Sequence, residues 1–219
     1  MIPPEQNAEF VAHMEDVLDV YERPYDPNRP VVCMDEQPTQ LIEERACPLA
    51  CEPGQPQRYD YEYRRNGVAN HFMFFQPLGN WRRVSVRQRK TAADWAHEIA
   101  RLLDCDFPHA ERVVLVCDNL NTHKIASLYS VFAPQQARAY AERLEIHYTP
   151  KHGSWLNAAE IELSLLTRQC LNRRIPDLET LTTQVHAWQH SRNASRKGLV
   201  WRFTTRDARI KLKKLYPQV

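Results

Sequence analysis

Two short runs of wholly apolar residues constrain this chain more than any other feature. They are VVCM at 31–34 and VVLVC at 113–117, and each is followed at once by an aspartate, Asp35 and Asp118. A strand with one wet face alternates apolar and polar residues. A run without alternation must be covered on both faces, as in the centre of a sheet sandwiched between helices. The two runs therefore predict buried strands, each delivering an acid near its carboxyl end, where sites in α/β sheets commonly form.

The remaining pattern begins with a helix that reads as a remnant or connector. Residues 6–21 place Phe10, Met14, Val17, Leu18 and Tyr21 on one helical face, and the proline-rich ERPYDPNRP stops that helix. Residues 36–57 read as irregular, with prolines at 38, 48, 53 and 56. Residues 58–89 read as strands separated by Arg-Asn-Gly and Leu-Gly-Asn hairpin turns. A helix over 91–104 is announced by Thr91 and, three residues on, Asp94. Helical sequence interrupted by Pro134 spans 124–143, and LEIHYT at 144–149 reads as another strand. The strongest helix is SWLNAAEIELSLLTRQCLNRR, with further helices expected over 178–191 and 204–215. Strands interleaved with helices in this order predict an α/β fold with a mixed sheet.

Composition narrows the class. Hydrophobic residues make up 43% of 219, which suits a globular chain. No apolar run approaches the ~18–20 residues of a membrane span, and the N-terminus lacks a signal-peptide pattern, so a soluble cytoplasmic protein is expected. Cys33, Cys117 and Cys170 sit in apolar patterns and read as small core residues. Cys47 and Cys51 have the spacing of half a zinc site but no second pair, and read as loop thiols. Net charge is only +2, yet residues 191–219 carry nine Lys or Arg against the single acid Asp207, leaving −6 for the rest. That asymmetry points to a polyanion near the C-terminal end, or to a solvated basic face.

Two aspartates at strand ends, with a glutamate on a later helix, form a set of hard oxygen donors. Magnesium and manganese are held by a few carboxylates plus substrate phosphates and water. A pair of such ions can activate an attacking oxygen and stabilise a leaving one in phosphoryl transfer. Helical geometry leaves the third acid open. Glu160 and Glu162 lie about 200° apart and flank the apolar stripe of Leu156, Ala159, Leu163, Leu166 and Cys170 on opposite sides. Likewise Glu36 rivals Asp35, because neighbours on a strand face opposite ways.

The segments VVCMDE, VLVCDNLNTHK and HYTPKHGSWLNAAEIE together resemble the three catalytic motifs of mariner-like insertion-sequence transposases of the DDE type. The resemblance covers roughly residues 28–218. It implies an RNase H-like fold, a mixed sheet flanked by helices, and a metal site of Asp35, Asp118 and Glu160 binding Mg²⁺ or Mn²⁺, two ions in all. Asp118 is the acid of the D-N-x-x-T-H-K motif and Glu160 that of W-L-N-x-x-E; the 42-position gap between them is long for the superfamily, with the extra residues expected in 129–143. By the same resemblance Asn119, His123, Lys124, Lys151, His152 and Asn157 are candidates for contacting DNA or positioning water, or for local structural roles.

Trp155 is a core or base-stacking residue, and Arg64, Arg65, Arg82, Arg83, Arg87, Arg89 and Lys90 are candidate contacts to the DNA backbone. The implied partners are DNA, as terminal inverted repeats and target, and further copies of the chain, in a nucleoid-associated setting. The expected organisation is an acidic helix or connector over 1–27, a catalytic domain over 28–175 and a basic helical extension over 176–219. Helix-turn-helix modules usually precede this domain in the family, whereas about 27 residues precede it here. A truncated regulator and a stand-alone RNase H-like nuclease are therefore alternative expectations.

Overall fold

The computed structural model describes residues 6–46, 51–55 and 61–217. Five strands, β1 (Val31–Glu44), β2 (Tyr63–Gln76), β3 (Trp81–Arg87), β4 (Val113–Cys117) and β5 (Leu144–Tyr148), form one sheet in the order β3-β2-β1-β4-β5. The hairpin partners β1, β2 and β3 run antiparallel, while β1–β4 and β4–β5 are parallel. Among the described residues seven α-helices accompany them: α1 (Ala8–Tyr21), α2 (Ala92–Arg101), α3 (Ile125–Tyr129), α4 (Pro134–Glu142), α5 (Ala158–Leu166), α6 (Leu178–Ala194) and α7 (Thr205–Lys211). The mixed sheet flanked by helices is the expected fold class.

The two apolar runs are central and fully covered. On β4, Val114 and Val116 enter one core while Val113, Leu115 and Cys117 enter the other. The first core is closed by α1, α5, α6 and α7; the second by α2, α3 and α4. α1 contributes Phe10, Met14, Val17, Leu18 and Val20, all buried, each worth roughly 1.5–3 kcal/mol relative to exposure. Cys33, Cys117 and Cys170 are buried as read from sequence, whereas Cys51 is exposed and Cys47 lies outside the described residues. Among the described residues no helix is long and apolar enough to cross a membrane.

Several local rules act as expected. Thr91 caps α2 in a reciprocal box with Asp94, Pro134 opens α4 at a position needing no N–H, and Leu78-Gly79-Asn80 lie in the β2–β3 turn, with Asn80 at φ 56°. Two expectations fail. Residues 36–44 are not irregular, because β1 continues through them; beyond Cys33 it has left β4 and is an edge strand, where Pro38 is tolerated. Arg-Asn-Gly at 65–67 is not a hairpin turn either. Gln40 pairs with Val68 and Ile42 with Arg65, so Asn66 and Gly67 face the single residue Leu41 in a bulge, with Gly67 at φ 96°. Glycine's access to positive φ serves a bulge as readily as a turn, and the sequence signal is the same.

Candidate active site

Asp35 lies where β1 parts from β4. The parallel pairing covers only Val31–Val114, Val32–Leu115 and Cys33–Val116, so a cleft opens beside Asp35 just where β4 ends and Asp118 follows. By alternation along β1, Asp35 shares the α5 face with Cys33, and Glu36 shares the α2–α3 face with Met34. The side chains comply. Asp35 Oδ2 accepts from Asn157 Nδ2 (3.3 Å) and its Oδ1 from the Glu36 backbone N–H (2.7 Å). Glu36 points away, its Oε1 3.0 Å from His123 Nε2 and its Oε2 3.7 Å from Lys90 Nζ.

The expected helix from 154 is three pieces. A 3₁₀ turn (Ser154–Leu156) leads to Asn157, which caps α5 by accepting from the Ala159 N–H, and a π turn (Thr167–Leu171) follows α5. Glu160 sits in the first turn of α5 and is exposed. Glu162 is 3% exposed and engaged by two arginines, Arg82 Nε at 3.1 Å and Arg192 Nη2 at 2.8 Å. What lies across the helix distinguishes the two: Glu162 is committed to β3 and α6, whereas Glu160 is exposed and adds its charge to the surroundings of Asp35.

Electrostatics tie the three acids together. Asp35 is pushed up to about 7, first by burial and then by the negative charges of Glu160, Asp118 and Glu36, against the opposing Glu36 N–H bond. Among the described residues no three His, Cys, Asp or Glu side chains are already drawn together to hold a metal. The donor set nevertheless fits a hard divalent cation: carboxylates from three segments, the charges of Asp118 and Glu160 both raising Asp35, with Glu160 exposed.

His123 is wholly buried. Its Nδ1 lies 3.3 Å from the Asp118 carbonyl and 2.5 Å from Asp118 Oδ1. The N–H is aimed at the carbonyl, so the carboxylate contact is a close charge contact off the bond axis. Since a carbonyl only accepts, Nδ1 carries the proton, and the ring is cationic when Glu36 is ionised. Its pKa agrees: burial lowers it, but Asp118 and Glu36 outweigh burial and raise it to about 9.

The six candidate DNA-contacting residues divide. Asn119, Lys151 and His152 are exposed, and Lys124 is half-buried over the Tyr148 ring with its Nζ bonded to Asn119. With Asp118, Asn119, Lys151 and His152 line a groove of about 450 Å³ that also touches His13 of α1. His123 and Asn157 are buried and face inward, which corrects the reading of either as a DNA contact; each instead holds an acid. Asn157 could be found from sequence as a helix cap, but His123 carried no signal distinguishing burial from exposure.

The arginine expectations change more. Arg82 and Arg83 are buried, Arg82 on Glu162 and Arg83 on Glu98 and Asp106 (2.5 Å), and Arg87 bonds Glu98 (2.7 Å), so these are internal ion pairs. Arg65 and Arg89 are exposed, and exposed Arg64 lies 3.3 Å from Glu43. Trp155 packs on the core with its ring 5.9 Å from Phe203. Part of the C-terminal charge is met internally too: Arg209 makes a two-bond pair with Glu15 of α1, both 2.8 Å.

Comparison with known proteins agrees with this fold. Among solved structures, the Mos1 mariner paired-end complex with Mn superposes with a TM-score of 0.58 at 16% identity, covering 90% of this chain and 60% of that one. The paired-end complex with Mg gives 0.58 at 16%, covering 100% and 66%. The Mos1 strand transfer complex gives 0.58 at 15%, covering 87% and 57%. These likenesses establish a common RNase H-like fold, and the chain spans about 60% of the length of the first of these. A comparison with curated proteins finds no match. The family model for the DDE superfamily endonuclease matches residues 30–182, well over half of the chain and inclusive of Asp35, Asp118 and Glu160. By that match over residues 30–182, this chain belongs to the DDE superfamily endonucleases.

Proposed function

We propose that this chain is the catalytic domain of a mariner-like insertion-sequence transposase, in which Asp35, Asp118 and Glu160 hold two divalent ions, Mg²⁺ or Mn²⁺. The observation that carries this reading is the charge imbalance around Asp35: it is largely enclosed on β1, and burial with the negative charges of Glu160 on α5, Asp118 at the end of β4 and Glu36 raises it to about 7. When bound, the ions supply Lewis-acid stabilisation of the attacking and leaving oxygens of a phosphodiester.

The chain's own residues do the rest. Asn157 holds Asp35 and the start of α5 in register, since one amide bonds Met34 O (2.8 Å), Asp35 and the Ala159 N–H. Glu160, being exposed, swings toward the two aspartates without breaking a core contact. Asn119, Lys124, Lys151 and His152 form the rim against which DNA phosphates lie, where contacts fix register and not sequence. The reaction is hydrolysis of one strand at the element end, followed by attack of the freed 3′-hydroxyl on target DNA. The DNA partners are terminal inverted repeats and target, the working form is a homo-oligomer, and the setting is the bacterial nucleoid. Paired-end and strand-transfer complexes of Mos1 support the reading by analogy of fold.

The test is incubation of the chain with a duplex carrying the flanking inverted repeat, with Mg²⁺ or Mn²⁺, scoring cut and joined products. Cutting and joining, both lost in a folded Asp118→Asn variant, is the expected result. Cutting without joining would make it a nuclease. Tight binding of the duplex with neither step would make it a regulator. Full activity of Asp118→Asn would sink the metal assignment.

A further inference from the structure

We infer that His123 and Glu36 act as positioning residues, forming a buried brace that locks one oxygen of Asp118 inward and presents the other to the cleft. The inference deepens the proposed metal site and rests on it.

The geometry is over-determined. The His123 ring lies between Asp118 and Glu36, 2.5 Å from Asp118 Oδ1 through Nδ1 and 3.0 Å from Glu36 Oε1 through Nε2. One ring face stacks on Trp95 of α2, centroids 5.8 Å apart at 28°. The backbone is tied as well, because Tyr148 donates its hydroxyl to His123 O (2.8 Å) and the His123 N–H reaches Leu120 O (3.0 Å). The ring therefore has nowhere to turn.

Asp118 responds to this constraint asymmetrically. Its Oδ1 is buried, whereas its side chain as a whole is 36% exposed, so the exposure belongs to the opposite side of the carboxylate. Turning both oxygens toward the cleft would abandon the 2.5 Å Nδ1 contact and pull Oδ1 from its buried position. Glu36 is the far anchor. Its side chain is 3% exposed, its Oε2 is buried without a hydrogen bond, and Lys90 Nζ stands 3.7 Å away. A carboxylate sequestered in this way does not serve a ligand in the cleft; it serves the ring that serves Asp118. Outer partners of this kind tune metal affinity by about 10–100-fold, because they fix the orientation and basicity of the ligand they touch.

The experiment titrates Mn²⁺ alone into the full chain by calorimetry, with melting temperature and duplex affinity in chelator as controls. Asp118→Asn should abolish Mn²⁺ binding. Glu36→Gln, which keeps an oxygen for Nε2, should weaken it about 10-fold, and Glu36→Ala nearer 100-fold, with duplex affinity in chelator unchanged. Imidazole ¹⁵N spectra of the wild type should show His123 with an exchange-protected proton on Nδ1, a readout independent of any variant's folding. The brace is overturned if Glu36→Gln binds Mn²⁺ like the wild type, or if that ring proton is absent. It is also overturned if Glu36→Gln loses binding as completely as Asp118→Asn, which would make Glu36 a ligand. Wild-type affinity in Asp118→Asn would instead bring down the metal site on which the brace depends.

Discussion

Two groups of buried acids sit in this molecule, and they behave in opposite ways. Around β3, Glu98 and Glu162 are buried among arginines: Arg83 and Arg87 on the first, Arg82 and Arg192 on the second. Burial alone would raise Glu98, yet the charge and hydrogen bonds of Arg83, with bonds from Arg87 and Ser85, hold it below the usual value. At the parting of β1 and β4, Asp35 is also largely enclosed, but its neighbours are Glu160, Asp118 and Glu36, and it rises to about 7. A buried carboxylate is therefore held in its charged form where guanidinium groups neutralise it and pushed toward its neutral form where other acids surround it.

The contrast is most sharply tested by breaking the compensated group. Glu162→Ala strands two buried guanidiniums and should cost about 3–5 kcal/mol in urea unfolding. Glu160→Ala, two residues away and exposed, should stay within about 0.5 kcal/mol. Equal losses would erase the distinction between the two glutamates. The uncompensated group should gain from a cation. Mn²⁺ or Mg²⁺ at 100 times its Kd should stabilise the wild type by about 2.7 kcal/mol, a rise of roughly 5–10 °C in Tm, and should not stabilise Asp118→Asn.

Acid titration reads the compensated group again. Because Glu98 is lowered from 4.5, its contribution is fully present above that value and is lost as pH falls through the lower folded value. Glu98→Gln should therefore flatten that part of the acid limb, and an unchanged limb would contradict the pairing. The smallest effect belongs to Arg209→Ala. Its pair with Glu15 is well aligned, but the arginine is 63% exposed, so the loss should be small and shrink in salt.

The basic C-terminal run shows how a charge pattern divides on folding. Arg209 meets Glu15, Thr205 donates to Asp19 (2.7 Å) and Tyr216 to Glu15 (2.8 Å), so the acidic α1 and the basic α7 complement one another. Part of what reads as an invitation to a polyanion is an internal contact between the two ends of the chain. Likewise three arginines of WRRVSVR, read as candidate phosphate contacts, turn inward because Glu162 and Glu98 lie opposite them.

What the sequence determined by itself was local and periodic. The two unalternating runs demanded central strands, Thr91 and Asp94 demanded a helix start, Leu-Gly-Asn a turn, and the acids at 35, 118 and 160 stood out by position and motif. What only the tertiary structure decided were choices between equivalent positions. Glu160 against Glu162 and Asp35 against Glu36 are symmetric about a stripe or a pleat, and the symmetry is broken by Arg82, Arg192 and His123, distant in sequence. The burial of His123 and Asn157, and the use of Gly67 for a bulge, follow the same logic. Periodicity tells which residues share a face, but the solvation and charge of that face come from segments packed against it, and those exist only once the chain has folded.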